Sequence, residues 1–197
     1  MGGPQNPYYA AGDRGNADGV RQHNLNLSGT YRLPFGYKQR FYNHKGWFSQ
    51  FIGGWNLSAL AQIRSGLPFS VTYTPSLAGW YSTRADATGI SPDVDNTGIT
   101  RWFNPAAFKA PAQFNFGNSG RNIVFGPGQW NLNTSLVKEF RAGEVATIQF
   151  RGEAFNMPNH ASFGNPSASL NSTTTIGRIN ATSVAARAVQ FALRVTF

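Results

Sequence analysis

Val189-Gln190-Phe191-Ala192-Leu193-Arg194-Val195-Thr196-Phe197 closes the chain and alternates apolar and other side chains without a miss. A β-strand sends successive side chains to opposite faces, so Val189, Phe191, Leu193, Val195 and Phe197 form one apolar face. Gln190, Ala192, Arg194 and Thr196 form the other. A soluble sheet would turn such a face to a core and could end on any residue. A strand of a bacterial membrane barrel turns it to lipid, with the last aromatic at the interface.

Other segments repeat this alternation. Leu25, Leu27, Tyr31 and Leu33 oppose Asn24, Asn26, Ser28, Thr30 and Arg32, which predicts a strand over 21–33, broken by Pro34-Phe35-Gly36. From Trp55 to Tyr73 one parity survives 19 positions, through Ser65-Gly66-Leu67-Pro68. A turn would be free to shift the parity, so this predicts one long strand with a kink or bulge at 66–68. Such a strand would span roughly 60 Å at about 3.3 Å per residue, so part of it would stand above the membrane. Trp130, Leu132, Thr134, Leu136 and Phe140 share a face that Lys138 interrupts, where a long side chain could reach the headgroups. Ala146, Ile148, Phe150, Gly152 and Ala154 continue the pattern after a tight turn at 141–144. Residues 74–128 and 158–184 show no sustained period and read as long ordered loops.

The fold expected is therefore all-β: a segment of an antiparallel up-and-down transmembrane barrel, with about five long strands and long loops. Five strands cannot close, since the smallest membrane barrels use about eight, so the segment is an incomplete barrel on its own. With the C-terminus in the periplasm, the turn at 141–144 and the connection 34–52 are periplasmic. Trp47, Phe48 and Phe51 are then available at the interface. The loops 74–128 and 158–184 are extracellular.

Composition agrees. Charged residues are 13% of the 197, low for a soluble protein, and no run approaches the roughly 18 apolar residues of a spanning helix. The net charge of +9 comes from thirteen Arg and four Lys spread singly along the chain, without the stripe that tracks phosphates, so nucleic acid is not expected as a partner. The absence of cysteine excludes disulfide scaffolds and thiolate metal sites. Met1–Pro7 has neither the basic start nor the apolar core of a secretory signal, which suggests that a longer protein contains this sequence.

Enzyme chemistry finds little footing. His23, His44 and His160 have no metal-ligand spacing, and neither a Gly-x-Ser-x-Gly elbow nor a phosphate loop is present. Asp93-Val94-Asp95-Asn96-Thr97-Gly98 faintly resembles a calcium loop, but Thr97 replaces an Asp or Asn and Asn104 stands where the closing Glu belongs. Glu144 and Glu153 are too far apart along one strand to work as a pair. No catalytic residue, cofactor or metal is expected.

Asp13-Arg14-Gly15, Tyr31-Arg32-Leu33-Pro34-Phe35-Gly36, Gly53-Gly54-Trp55-Asn56-Leu57-Ser58 and Ser65-Gly66-Leu67-Pro68-Phe69 form an ordered series. It continues with Trp102-Phe103-Asn104-Pro105-Ala106-Ala107-Phe108, Phe116-Gly117-Asn118-Ser119-Gly120-Arg121-Asn122 and Gly126-Pro127-Gly128-Gln129-Trp130-Asn131-Leu132. It ends with Phe150-Arg151-Gly152-Glu153-Ala154-Phe155-Asn156, Asn159-His160, Phe163-Gly164-Asn165-Pro166 and the terminal strand. The series resembles the carboxy-terminal barrel portion of TonB-dependent outer-membrane receptors, nearest the Oar-like subgroup whose members often carry a carboxypeptidase-regulatory-like domain.

The resemblance covers nearly all of 1–197 and implies a share in a plugged barrel of about twenty-two strands that imports a scarce ligand with energy passed on by TonB. It implies as partners the outer-membrane lipid, the remaining strands and plug of a full receptor, TonB through an N-terminal part not in this sequence, and the outer-membrane assembly machinery. That machinery would read Val189, Phe191, Leu193, Val195 and Phe197. Alone the segment would not be transport-competent.

In such a barrel the polar parity, with Gln149, Arg151, Glu153, Gln190 and Arg194, lines the lumen. Arg151, Glu153 and Arg194 could pair across the ladder, more readily as a structural contact to a plug than as a ligand site. The loop aromatics Trp80, Tyr81, Trp102 and Phe103 could meet a ligand or simply staple the long loop. The rival readings are a small free-standing barrel or adhesin, which needs at least three more strands from 74–128, and a soluble carbohydrate-binding β-sandwich, which needs its apolar faces paired.

Overall fold

The computed structural model describes residues 5–76, 82–142 and 145–197. Five long strands, β1 (Asn24–Arg32), β2 (Trp55–Arg64), β3 (Gln129–Ala142), β4 (Ala146–Phe155) and β5 (Ala188–Thr196), form one sheet in chain order. Leu33 N donates to Trp55 O and Ser65 N to His23 O, each at 2.9 Å, so β1 and β2 are antiparallel. The β3–β4 and β4–β5 pairs are antiparallel too. The sheet does not close: β1 and β5 are its edges.

Register decides the faces. Ile148, Phe150, Gly152 and Ala154 stand opposite Val195, Leu193, Phe191 and Val189 on one side, and opposite Phe140, Lys138, Leu136 and Thr134 on the other. Directly paired residues share a face, so the apolar stripe runs across three strands, broken by the Lys138 ammonium and, at its end, by the Thr134 hydroxyl. Gly152 leaves room for a ring: a Cβ there would lie 3.2 Å from the ring of Phe191, which stacks on Phe150 with centroids 6.0 Å apart. Nothing among the described residues covers this stripe on β5, where Phe191 is 72% and Leu193 68% exposed. A sandwich would have buried both.

The long strand expected over 55–73 is divided. It leaves the sheet at Arg64, and the extended pieces Pro68–Phe69 and Thr72–Tyr73 pair instead with Val124–Phe125 and Thr83–Arg84. Gly66 is the cause. It packs so closely on Gly126 that any Cβ would overlap the Gly126 carbonyl oxygen, and Gly126 N donates to Leu67 O at 2.9 Å. Extension kept the parity while the partner changed.

The chain divides into two compact units. One holds residues 25–63, 130–161 and 184–197, the body of the sheet; the other holds 1–24, 64–129 and 162–183. The hydrophobic core lies in the second. Val71, Ala85, Phe103, Ala107, Phe108 and Val124 are buried together, with Phe69, Ala168, Leu170 and Ile176 packed against them. Thus the segments read as loops form a unit held by its own core and by short strand pairs. In the sheet unit, a short helix α1 (Trp47–Ile52) occupies the connection between β1 and β2, a feature too brief for sequence periodicity to show.

Candidate functional site

The polar parity of the sheet carries the first group of candidate residues. Gln149, Arg151 and Glu153 of β4 stand opposite Arg194, Ala192 and Gln190 of β5 and opposite Glu139, Val137 and Ser135 of β3. Gln149 Nε2 donates to Glu139 Oε1 at 2.8 Å, and Gln190 Nε2 donates to Glu153 Oε2. Arg151 Nη1 lies 3.7 Å from Glu153 Oε1, an ion pair along one strand rather than across the ladder, and Arg194 stands opposite Gln149. Toward β1 the face hollows into a groove of about 380 Å³ lined by Ser28, Thr30, Ser58, Leu60, Asn133, Ser135, Glu153 and Phe155. The polar parity thus carries the charges Glu139, Arg151, Glu153 and Arg194 beside neutral hydrogen-bonding groups, and its groove takes Leu60 and Phe155 into the lining.

The apolar parity is its complement. Phe197, at 92% exposed, and Val189, at 56%, end a stripe that Lys138 interrupts. Lys138 does not reach water. It is 2% exposed, and its Nζ donates to the carbonyl oxygens of Gln50, Phe51 (2.7 Å) and Gly53 (2.5 Å). Its ammonium lies 4.6 Å from the Phe140 ring centroid and 5.3 Å from that of Trp55. A cation on an apolar face is tolerable when carbonyl dipoles replace its water, and here the carbonyls come from the end of α1 and the residue after it. The sequence showed the interruption but not its partner.

A sheet with one open apolar face, one hydrogen-bonded polar face and no covering second layer among the described residues suits a lipid boundary. The family comparison decides the assignment: the model for the outer membrane beta barrel domain matches residues 1–190. The chain belongs to this outer-membrane β-barrel family. No curated protein and no solved structure matches it. The barrel protein is therefore a protein of the outer membrane, in contact with membrane lipid.

The second unit of the barrel protein carries the remaining candidates. Phe103 is 1% exposed, packed between Phe69 and Phe108 at centroid distances of 5.8 and 6.0 Å. Trp102 Nε1 donates to Phe125 O at 2.7 Å. Trp80 and Tyr81 lie outside the described residues. Asn104 accepts a bond from Ala106 N at 3.2 Å and so caps a 3₁₀ turn at Pro105–Ala107, while Ser91 Oγ is 3.2 Å from Asp93. Among the described residues no group of three or more metal-ligating side chains gathers. A cavity of about 420 Å³ is lined by Tyr73, Pro75, Thr83, Pro111, Gln113 and Phe114 among others.

A polar network in this unit had no signal in the sequence beyond its motif fragments. Arg84 forms an ion pair with Asp13, each side chain 11% exposed, and donates through Nε to Ser119 O (2.9 Å) and through Nη2 to Gly12 O (2.8 Å). Gln5 Oε1 accepts Arg84 N at 2.6 Å, while Gln5 Nε2 donates to Gly117 O at 3.0 Å. Asn122, in the left-handed region at φ 53°, donates to Asn16 O (2.8 Å) and Asp18 Oδ1 (2.7 Å), and Arg121 pairs with Asp18 at 2.6 Å. Burial alone would raise the Asp13 carboxyl pKa, but its bonds from Arg84 and Gln5 hold it below the usual carboxylate value. Bonds from Asn122 and Arg121 lower Asp18 likewise. Asp13-Arg14-Gly15 and Phe116–Asn122, some 100 residues apart, are thus one structure.

Proposed function

We propose that the chain is barrel wall and ligand-facing loop structure of a TonB-dependent receptor of the Oar-like kind, importing a scarce ligand by energy-coupled transport. The observation that carries this reading is the folded unit built from the long β2–β3 connection. A porin or small adhesin barrel needs its chain in strands of about 9–11 residues. Here the described strands between Pro68 and Phe125 are two residues each, and the chain is spent on a core around Phe103 and Phe108. Long loops with their own core suit capture of a ligand outside the cell.

In this reading β1 to β5 supply part of a larger wall, and further strands satisfy the open edges at β1 and β5, since an unpaired edge in hydrocarbon costs several kcal/mol per group. The polar face of Gln149, Arg151, Glu153, Gln190 and Arg194 meets a plug, TonB acts through that plug, and the assembly machinery reads the odd positions from Val189 to Phe197. The chain performs no catalysis and holds no cofactor.

The test is genetic. Cells lacking the gene and cells lacking TonB should lose growth on the same member of a panel of scarce oligosaccharide, peptide and metal-chelate sources. A protonophore should stop the corresponding uptake. Uptake that persists without TonB and with the protonophore would overturn the reading.

A further inference from the structure

The connection between β1 and β2 has a composition that neither sheet face explains. Residues 33–54 hold Phe35, Tyr37, Phe41, Tyr42, Trp47, Phe48 and Phe51 together with Lys38, Arg40 and Lys45, and no Asp or Glu. The aromatics do not form a core. Trp47 is 80% exposed, and Tyr42, Phe48 and Trp47 touch edge to face at centroid distances of 5.3 and 5.8 Å. Lys38 and Lys45 both lie over the Tyr37 ring, at 5.7 and 5.4 Å, and Arg40 lies over Phe41 at 5.5 Å. Exposed aromatics interleaved with cations suit the headgroup layer of a bilayer, where rings sit between chain and water and cations meet anionic lipid.

Within this collar is a cleft of about 420 Å³, lined among others by Arg32, Tyr37, Gln39, Lys45, Ser49 and Gln50. Ser49 lines it from α1. Its residue is 3% exposed and its Oγ has no hydrogen-bond partner. A buried hydroxyl without a partner is rare and calls for an acceptor or donor from elsewhere. Gly36, at φ 105°, and Gly53 approach so closely that a Cβ on Gly36 would lie 2.8 Å from Gly53 Cα, which holds α1 against the end of β1 and shapes the cleft. Arg32, reaching the cleft from the polar parity at the very end of β1, Lys45 and one unspent hydroxyl meet around this small hollow, and together they are the donors a phosphodiester needs.

We propose that this cleft binds the phosphate headgroup of an anionic phospholipid, phosphatidylglycerol, in the periplasmic leaflet. Arg32 and Lys45 neutralise the phosphate, Ser49 Oγ donates to one of its oxygens, and Trp47, Phe48 and Phe51 lie along the upper acyl chains. Charge complementarity selects lipid over an acidic peptide, because the cations are set in exposed aromatic surface that a soluble partner would leave half covered. The leaflet rests on the strand polarity of the proposed receptor; the headgroup chemistry rests on the cleft.

The protein is extracted from outer membranes in styrene–maleic acid discs, without detergent, and its co-extracted lipid is measured by mass spectrometry. Phosphatidylglycerol should be enriched over its share of the bulk membrane. Each cation removed, by Arg32→Gln or Lys45→Gln, should cut the enrichment about fivefold, and Ser49→Ala should cut it measurably. Lys109→Gln, in the other unit, should leave it unchanged, and unaltered heat-modifiability on gels should mark each variant as folded. Bulk-ratio lipid around the unaltered protein, enrichment insensitive to Arg32 and Lys45, or lipid A in place of phosphatidylglycerol would each overturn the proposal. So would a photo-crosslink from position 45 to protein alone. Loss of TonB dependence with this enrichment intact would sink the transport reading and leave the lipid site standing.

Discussion

Arg84→Met removes the guanidinium that joins the N-terminal segment to the 115–122 loop while keeping an unbranched side chain in its place. The change strips Ser119 O and Gly12 O of a donor and leaves the Asp13 carboxylate, only 11% exposed, without its cation. Breaking a buried pair by removing one partner costs about 3–5 kcal/mol, and the residual exposure of both side chains places this case near about 3. At about 1.4 kcal/mol per decade that is a hundredfold or more in local opening. Hydrogen exchange reads it at single amides. Gly117 N, bonded to Thr83 Oγ1 at 3.1 Å, and Ser119 N, bonded to Ala85 O at 3.0 Å, should exchange about a hundredfold faster, while β4 amides keep their rates. Asp13→Asn retains an acceptor and should cost about 1 kcal/mol, or roughly fivefold. Rates at Gly117 and Ser119 unchanged within threefold in Arg84→Met, or equal acceleration in β4, would refute the argument that this network fastens the unit.

Acid should act on the same unit. Asp13 and Asp18 have pKa values lowered in the fold, so their stabilisation is full above the unfolded carboxylate value near about 4 and is lost as pH falls through the lowered folded values. Exchange protection at Ser119 and Asn122 should thus be flat from about pH 7 to 5 and decline below about 4; decline already above about pH 6 would contradict the assignment. Gly66→Ala must push aside the Gly126 carbonyl and should cost at least about 3 kcal/mol, seen as accelerated proteolysis between 65 and 128, whereas Gly98→Ala, with open space around it and no positive φ, should cost much less. Lys138→Met leaves three carbonyls without their ammonium and should lower the stability of the sheet by about 2–3 kcal/mol in urea titrations of protein in lipid vesicles. A neutral or stabilising effect would mean that the carbonyls are hydrated instead.

The sheet was legible because an apolar face and a polar face impose a period of two, and that period survives without any knowledge of the neighbours. The alternation at Trp130–Arg141 and Val189–Phe197 located β3 and β5 to within a residue or two. The same signal misled at Arg64: parity reports extension, not which strand is paired, so a chain that changes partner at Gly66 while staying extended looks like one strand. Phe103 and Phe108 were visible as aromatics in a loop, but their burial depends on Phe69 and Leu170 brought from far away, and irregular spacing carries no face. Arg84 and Asp13 are 71 residues apart and unremarkable in context. Lys138 announced itself as a break in a pattern, whereas its three carbonyl partners lie in the short stretch 50–53, from a six-residue helix and the residue after it.

The central claim is that the odd positions of β5 face lipid and the even positions face water. Single spin labels at 189 to 196, in protein held in lipid bilayers, test it through accessibility to oxygen, which partitions into lipid, and to a water-soluble nickel chelate. The account predicts strict alternation, with oxygen favoured at 189, 191, 193 and 195 and nickel at 190, 192, 194 and 196. Odd positions shielded from both reagents would place a protein layer over the apolar stripe, and would contradict the account.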